Sequence, residues 1–211
     1  MLAAEDQNAL WTLLRAIADA DSVAVARLLV EHPELVHDPA SNGATRQSAQ
    51  DYFLEGIETY VFKGDTALHI AAATYDESVA AQLLSFGAAV QASNRRGQQP
   101  LHYSVVGVPG SSRWNPRSQS AVIHLLINAG ADPDFADRDG VTPLHRAVRT
   151  RCSAAVRALL EAGADPRLAN RRGSTPLMLA KRNSGRGSSG NPEARREQEM
   201  ILAALQEHCA E

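Results

Sequence analysis

The sequence has few of the residues on which several classes of protein depend. Its 211 residues include two cysteines, Cys152 and Cys209, so neither a disulfide framework nor a cysteine-based zinc site is expected. Aromatic residues make up only 5% of the chain, which predicts a core of small aliphatic side chains. No apolar run approaches the roughly 18 residues that a spanning helix needs, and the first residues are acidic rather than basic. We therefore expect a cytoplasmic protein without a membrane segment.

The charge of the chain is unevenly distributed along its length. Residues 1–94 carry 13 acidic and four basic side chains, whereas residues 95–211 carry 11 acidic and 17 basic ones. Arginine supplies 19 of the 21 basic residues, a usage that a GC-rich genome also favours. The sequence predicts a carboxyl-terminal half that attracts anions and an amino-terminal half that repels them.

Two short patterns recur in a single register. The segments GDTALH, GQQPLH, GVTPLH and GSTPLM begin at Gly64, Gly97, Gly140 and Gly173, with spacings of 33, 43 and 33 residues. The second interval is one period plus a ten-residue insertion. A Leu-Leu pair followed by Gly-Ala lies downstream of three of these segments, ending in Gly87-Ala88, Gly130-Ala131 and Gly163-Ala164. A fixed period of this length indicates a repeat protein.

This pattern resembles the ankyrin repeat, and the resemblance covers most of residues 61–182. It implies an all-α ankyrin-repeat solenoid of stacked helix-turn-helix units with short β-turn fingers and insertion loops. The residue types agree with this fold. The threonines suit helix N-caps, the prolines suit a first helical turn, and the glycines suit left-handed helix ends.

The repeat register divides a single ankyrin-repeat domain, residues 1–211, into five repeat units, with an inserted flap (38–62) between the first two. The units are an N-terminal capping repeat (8–37), repeat 2 (63–94), repeat 3 (95–137, with insertion 107–117), repeat 4 (138–170) and repeat 5 (171–211, with insertion 183–197). The flap contains four of the ten aromatic residues. Phe53, Leu54 and Ile57 have helical spacing, and residues 59–62 look extended, so we expect an ordered flap that packs on the solenoid rather than contacting a ligand.

The insertions of repeats 3 and 5 resemble each other. Both contain glycine and serine and end in Asn-Pro, at Pro116 and Pro192, which predicts the N-cap and first residue of a helix. Free N–H groups at such a helix start can hold an anion. Small-anion binding is therefore an alternative function, assigned to Arg113, Arg151, Arg186, Gly187, Ser188 and Ser189. Plain surface loops explain the composition equally. The G-x-G-x-x-G string at 185–190 follows a predicted helix, not a strand, so a dinucleotide site is rejected.

Known ankyrin domains generally bind proteins through their fingertips and the inner face of the first helix of each repeat. By resemblance, the matching positions here are Arg95, Arg96, Arg138, Arg149, Thr150, Arg171, Arg172 and Arg182. Trp114, in the insertion of repeat 3, is expected at the far lip of the groove that they line. These residues predict an arginine-lined concave groove for an acidic protein segment, because guanidinium groups suit carboxylates and an exposed tryptophan suits an interface. A solvated face with ion pairs to Asp137, Asp139 or Asp165 is the alternative.

The sequence offers little for catalysis. His69, His102 and His145 occupy the repeat position at which the family uses the ring to hydrogen-bond neighbouring turns, and the other histidines have no metal-ligand spacing. Cys152 lies beside Arg149 and Arg151, whose charge would favour a thiolate, although a redox role is disfavoured. We expect no enzyme activity, metal or cofactor. The prediction is a monomeric interaction module that inhibits, protects or scaffolds a protein partner, with a bacterial accessory or toxin-neutralising protein as one version. Nucleic-acid binding is disfavoured by the acidic half.

Overall fold

The computed structural model describes residues 4–183 and 192–210, and its contacts divide the chain into two compact units. Unit 1 is Met1–Ser104 and unit 2 is Val105–Glu211. Within the described residues the chain forms ten α-helices and one short antiparallel sheet. This is the all-α ankyrin-repeat fold class that the repeat pattern predicts.

Each unit is a set of helical hairpins. Unit 1 contains α1 (Ala4–Ala18), α2 (Ser22–Glu31), α3 (Ala67–Thr74), α4 (Glu77–Ser85) and α5 (Pro100–Ser104). Unit 2 contains α6 (Pro116–Asn128), α7 (Pro143–Thr150), α8 (Ser153–Glu161), α9 (Pro176–Asn183) and α10 (Pro192–Ala210). Helix α10 begins at Pro192, the proline of the Asn-Pro prediction, so residues 192–197 are helical rather than part of an insertion. Arg186, Gly187, Ser188 and Ser189 lie outside the described residues.

The helices pack in rows within each unit. In unit 1, α3 lies between α1 and α5, and α2 and α4 pair with α1 and α3. In unit 2, α6, α8 and α10 form one row, which we call the helix-B row, and α7 and α9 form the helix-A row. Small side chains make these contacts close, because Ala71, Ala147 and Ala155 are fully buried among leucines and valines. Such packing explains why the core needs few aromatic rings.

Threonine and histidine together begin the first helix of a repeat, as expected. Thr66 and Thr142 are the N-caps of α3 and α7, and their backbone N–H groups donate to Nδ1 of His69 and His145. The opposite ring nitrogen Nε2 of His145 donates to the backbone carbonyl of Ser174 at 2.9 Å, in the next finger. His69 makes the equivalent bond in unit 1. Burial lowers the pKa of both histidines, so these rings are neutral structural links between repeats.

Glycine ends the second helix of a repeat in the predicted left-handed conformation. Gly87, Gly130 and Gly163 have φ values of 89°, 97° and 88°, which only glycine adopts without strain. At each site the glycine N–H and the following alanine N–H donate to carbonyls in the last turn of the helix. This pair of hydrogen bonds is the Schellman motif, so the Gly-Ala pairs of the sequence are helix-termination signals.

The flap of residues 38–62 is ordered and packed in unit 1, as predicted, but its local structure differs from the prediction. Phe53–Leu54 is a strand, β1, that pairs antiparallel with Thr59–Tyr60, β2. The helical spacing was therefore wrong for Phe53 and Leu54, whereas Glu55–Ile57 is a short 3₁₀ helix and Thr59–Tyr60 is extended, as expected. In β1 the side chains alternate: Leu54 is buried, while the Phe53 ring packs against the Tyr60 ring at 4.8 Å. The Tyr52 ring packs 5.5 Å from Trp11 of α1.

A buried polar cluster joins the end of the flap to the rest of unit 1. The fully buried carboxylate of Asp65 accepts hydrogen bonds from the Phe62 backbone N–H at 2.7 Å and from Asn94 Nδ2 at 2.8 Å. The Tyr103 hydroxyl lies 2.9 Å from both oxygens of Asp65 and accepts from Asn94 Nδ2 at 3.0 Å. A buried carboxylate needs such donors, and here they are supplied by Phe62 at the end of the flap, by Asn94 in the finger that precedes α5, and by Tyr103 of α5. The cluster fixes these three segments relative to α3.

Candidate functional site

The fingertips of unit 2 are shaped by one side chain each. Asp137 Oδ1 accepts from the backbone N–H of Asp139 at 2.9 Å and of Val141 at 3.0 Å. Asn170 Oδ1 does the same for Arg172 at 2.9 Å and Ser174 at 3.1 Å. Short side chains that bond their own backbone in this way hold tight turns. The residues immediately after Asp137 and Asn170 are therefore held at the tips of two similar turns.

The arginines predicted for partner binding in unit 2 are exposed. Arg138, Arg171 and Arg172 lie at the fingertips, and Arg149 and Arg182 lie in the last turns of α7 and α9. None of these five side chains forms an ion pair with a carboxylate of residues 4–183 or 192–210. The alternative of local ion pairs to Asp137, Asp139 or Asp165 has no support among these residues. Five guanidinium groups are thus presented to solvent.

The repeat places these arginines in equivalent pairs. Arg138 and Arg171 are 33 residues apart at the same point of neighbouring fingers, and the two fingers are joined by a hydrogen bond from the Arg171 N–H to the Asp139 carbonyl at 3.0 Å. Arg149 and Arg182 are also 33 residues apart, on helices α7 and α9 that pack side by side. Helices in contact lie about 8–10 Å apart, so equivalent residues repeat at about that distance.

Arg95 and Arg96 have contacts with the flap of unit 1. The Arg96 guanidinium lies 4.6 Å from the centroid of the Phe62 ring, and that of Arg95 lies 5.5 Å from it. Arg95 also donates a hydrogen bond from Nη2 to the Ala44 carbonyl. Cation–π contact of this kind holds a guanidinium against its own chain. The partner-binding role of these two arginines stays a prediction.

Thr150 and Trp114 use their polar groups inside unit 2. The Thr150 hydroxyl lies 3.1 Å from the carbonyl of Arg146, in its own helix, and 3.2 Å from that of Val105. The Trp114 indole N–H donates to Gln119 Oε1 at 3.0 Å, and Gln119 is fully buried. The Trp114 ring is half-buried. Both residues therefore have structural roles, whether or not a partner also contacts them.

The insertion of residues 107–117 does not have the free N–H groups that an anion site needs at the start of α6. Asn115 is the N-cap, as predicted, and its Oδ1 accepts from the N–H groups of Arg117 at 3.0 Å and Ser118 at 3.1 Å. Pro116 has no N–H, so the first turn has no donor left for a phosphate. The expectation of free donors was wrong for this loop. The second loop, together with Arg186, Gly187, Ser188 and Ser189, lies outside the described residues.

Cys152 is a buried thiol rather than an activated one. Burial raises its pKa to about 11, despite a hydrogen bond with Thr150. A Cβ atom on Gly107 would lie 2.9 Å from the Cys152 sulfur and 2.7 Å from Cδ1 of Trp114, so the insertion passes directly over the thiol. The expectation that Arg149 and Arg151 favour a thiolate was wrong, because burial is the main influence on the pKa of the thiol and neither arginine contributes to its shift.

One exposed residue was missed by the sequence reasoning. Met178 of α9 is 51% exposed, although it occupies the repeat position of the buried His69, His102 and His145. The signal was available, since the fourth repeat segment ends in Leu-Met instead of Leu-His. In the part of the chain that the structure describes, no helix is long and apolar enough to cross a bilayer. Nor do three His, Cys, Asp or Glu side chains of that part gather as a metal ion would require.

Comparisons with known proteins identify the same repeats. The family model for ankyrin repeats in three copies matches residues 115–190, and the single ankyrin repeat model matches residues 63–95. Ankyrin repeat and SOCS box protein 16 of Mus musculus is 39% identical over 89 residues, which are 41% of this chain and 19% of that protein. NF-kappa-B inhibitor delta of Mus musculus is 35% identical over 89 residues, 41% of this chain and 24% of that protein. Rabankyrin-5 of Mus musculus is 29% identical over 143 residues, 66% of this chain and 10% of that protein.

The chain therefore spans less than a quarter of the length of each of these relatives, and the likeness lies in the repeats. The two family models together match more than half of the chain. Their matches include the repeat segments that begin at Gly64, Gly140 and Gly173, together with the capping threonines and the terminating glycines described above, and the segment at Gly97 lies between the two matches. Ankyrin repeats are in general modules for protein–protein interaction. The chain belongs to the ankyrin repeat family.

Proposed function

We propose that the exposed arginines of unit 2 bind an acidic segment of another protein, and that this contact inhibits, protects or scaffolds the partner. The observation that carries the proposal is that Arg138, Arg149, Arg171, Arg172 and Arg182 are all exposed and none is paired with a described carboxylate. Exposed cations without intrachain partners are available to a ligand at no cost of breaking an existing ion pair.

The spacing of the arginines supports a peptide rather than an isolated ion. Equivalent arginines of neighbouring repeats are set about 8–10 Å apart by helix packing. An extended chain rises about 3.3 Å per residue, so side chains three residues apart lie at about the same separation. A segment with a carboxylate at every third position would place one acid opposite each repeat. Guanidinium groups bind carboxylates through two parallel hydrogen bonds, which adds orientation to the attraction.

The sign of the local charge supports the same choice of partner. Residues 105–211 carry 15 basic and 11 acidic side chains. A surface with this excess attracts acidic segments and raises the rate of their association, and the effect weakens as salt screens the charges. NF-kappa-B inhibitor delta is a relative whose name states an inhibitory role, and occupancy of a partner's acidic segment is one way in which the present chain would inhibit.

The test is a binding titration with a defined probe. A fluorescein-labelled peptide with glutamate at every third position is titrated with the wild-type chain and with the variant Arg149→Glu/Arg171→Glu/Arg172→Glu, and its anisotropy is measured. The matched control reverses the same number of charges on the helix-B row, at the exposed residues Arg117, Arg157 and Arg196. We expect the first variant to weaken binding by about tenfold or more, since each exposed ion pair contributes about 0.2–1 kcal/mol and reversal adds repulsion.

The control should change the affinity by less than about threefold, because its charges lie on the other helix row and act only through the long-range field. Equal loss in both variants would show that net charge alone attracts the peptide, and the proposed surface would be wrong. Capture of proteins from the native host with the same two variants then identifies the partner. Identical sets of captured proteins for wild type and the Arg149, Arg171 and Arg172 variant would also defeat the proposal.

A further inference from the structure

The basic side chains of unit 1 are concentrated where the flap meets the neighbouring fingers. Residues 1–104 contain 13 acidic and six basic side chains. Four of the six basic residues belong to the flap or to the fingers that precede α3 and α5, namely Arg46, Lys63, Arg95 and Arg96. The two fingers are joined by a hydrogen bond from the Arg95 N–H to the Lys63 carbonyl at 2.8 Å. A unit with an excess of acidic residues therefore gathers its positive charge at one joint.

Two guanidinium groups lie against one aromatic ring at this joint. The guanidinium carbon of Arg96 is 4.6 Å from the centroid of the Phe62 ring, and that of Arg95 is 5.5 Å from it. Both arginines are exposed, and we call them the arginine pair. Arg95 Nη2 donates to the Ala44 carbonyl, whereas nothing within 4–183 or 192–210 accepts a hydrogen bond from the Arg96 guanidinium. Neither arginine forms an ion pair with a carboxylate of those two ranges.

The buried polar cluster fixes the turn that carries the arginine pair. The Arg96 backbone N–H donates to Asn94 Oδ1 at 2.8 Å, and Nδ2 of the same amide donates to Asp65. Asp65 also accepts from the backbone N–H of Phe62 at 2.7 Å. One buried carboxylate thus holds both the ring and the turn that bears the two arginines. Its oxygens are used by these donors and by the Tyr103 hydroxyl, and it forms no ion pair with either arginine.

This arrangement leaves the hydrogen-bonding edge of Arg96 available to a ligand. An aromatic ring contacts the face of a guanidinium group, whereas the N–H donors of that group point outward in its plane. Two like charges that lie close together also repel, and an anion bound by both removes this cost. A phosphate monoester carries about 1.5–2 negative charges at pH 7 and three acceptor oxygens, whereas a carboxylate carries a single charge on two oxygens. Two adjacent guanidinium groups therefore favour a phosphate group.

We propose that the arginine pair binds the phosphate group of a phosphorylated residue in a partner protein. Lys63 adds a third positive charge from the neighbouring finger. A protein is the expected source of the phosphate because ankyrin repeats are in general modules for protein–protein interaction. The inference goes beyond the proposed function, since it concerns unit 1 and makes binding depend on a modification of the partner rather than on a run of acidic residues.

Peptides with neutral flanks test this inference. Three short fluorescein-labelled peptides of alanine and glycine differ only at the central position, which is phosphoserine, serine or glutamate. Such flanks offer no run of carboxylates to the arginines of unit 2. Anisotropy titrations use the wild-type chain and the variant Arg149→Gln/Arg171→Gln/Arg172→Gln, in which the proposed surface of unit 2 is neutralised.

Substitutions of Arg96 give the sharpest comparison, because its guanidinium has no hydrogen bond to lose within the described part of the chain. Arg96→Gln removes the charge and the planar fork, whereas Arg96→Lys keeps the charge and removes the fork. The control Arg27→Gln removes one exposed charge from α2 of the same unit. Circular dichroism and limited proteolysis within 38–62 check that each variant keeps its fold and its flap.

We expect the wild-type chain to bind the phosphoserine peptide at least about tenfold more tightly than the other two, and the unit 2 variant to keep this preference. Arg96→Gln should weaken binding of the phosphoserine peptide by about tenfold. Arg96→Lys should weaken it by about threefold or more, because an ammonium group is a point charge without bidentate geometry. Arg27→Gln should weaken it by less than about twofold, since its charge acts only at long range.

Each contrary result overturns the inference. Equal affinities for the phosphoserine and serine peptides would show that the chain does not recognise phosphate. Equal effects of Arg96→Gln and Arg27→Gln, or loss of the preference in the unit 2 variant, would assign phosphate binding to another site. Wild-type affinity in Arg96→Lys would show that charge alone acts. Inorganic phosphate that displaces the peptide at a concentration equal to the Kd of the peptide would identify a free anion, not a protein segment, as the ligand.

The proposed function is judged by a separate titration. The peptide with glutamate at every third position should bind Arg96→Gln with an affinity within about threefold of wild type, because its expected contacts are in unit 2. If that peptide binds while the phosphoserine peptide does not, this inference fails and the proposed function stands. If the phosphoserine peptide binds and the glutamate peptide does not, the proposed function fails alone.

Discussion

Removal of the Tyr103 hydroxyl tests whether the buried polar cluster of unit 1 holds the flap in place. In the Tyr103→Phe variant the carboxylate of Asp65 loses a donor at 2.9 Å, and Asn94 Nδ2 loses an acceptor at 3.0 Å. Tyr103 is 5% exposed and Asp65 is fully buried, so water does not readily replace the hydroxyl. A hydrogen bond to a charged group contributes about 1.5–3 kcal/mol, and we expect a loss of about 2 kcal/mol in the free energy of unfolding. For a chain of this size that loss corresponds to about 4–8 °C in Tm.

The measurement is urea unfolding followed by circular dichroism, with Tyr60→Phe as the matched control. Tyr60 is 40% exposed and contacts Phe53 through its ring, which the substitution keeps. The control should therefore change the free energy of unfolding by less than about 0.5 kcal/mol. If the two variants have the same stability, the Asp65 cluster does not hold the flap and the reasoning is refuted. Limited proteolysis adds a local readout, because cleavage within 38–62 should accelerate in Tyr103→Phe and not in the control.

Two further predictions concern the titrating groups. Burial lowers the pKa of His69 and His145 below the usual 6.5, so the unfolded chain takes up protons in acid that the folded chain does not. The urea midpoint should therefore decrease as the pH is lowered from 7.5 to 5.5. The decrease should be smaller in His145→Asn than in the control His124→Gln, whose histidine is exposed. Cys152 is buried and its pKa is raised to about 11, whereas Cys209 is half-buried. Ellman's reagent at pH 8 should therefore modify Cys209 in the native chain and Cys152 only in urea. Rapid labelling of Cys152 in the native Cys209→Ser variant would contradict its burial.

The features that the sequence predicted well are those set within one repeat. The N-caps at Thr66 and Thr142, the left-handed glycines and the start of α6 after Asn115 depend on a few neighbouring residues. These features can be predicted from short segments of sequence, because each backbone donor or acceptor finds its partner within about five residues. The recurrence of the signals in one register then identified the fold class.

The features that were mispredicted depend on contacts between distant segments. Phe53 and Leu54 fit a helix or a strand, and only pairing with 59–60 decides between them. The Cys152 thiol was assigned a charged neighbourhood because Arg149 and Arg151 are adjacent in sequence, but the insertion that covers it comes from more than 35 residues earlier. The absence of ion pairs at the five arginines of unit 2, within the described residues, also required coordinates.

Gly107 limits the part of the 107–117 insertion into which a foreign peptide can be grafted. Any side chain at 107 would collide with Trp114 and Cys152, so that end of the insertion has a fixed path. Between it and the Asn115 cap, Val108 is 64% exposed and Pro109 is buried, and the loop then turns outward, with residues 110–113 exposed. An epitope or affinity peptide grafted between Gly110 and Arg113 is displayed from two anchored ends while α6 keeps its own start. The insertion thus offers protein engineers a display site on a helical scaffold, provided that the glycine is retained.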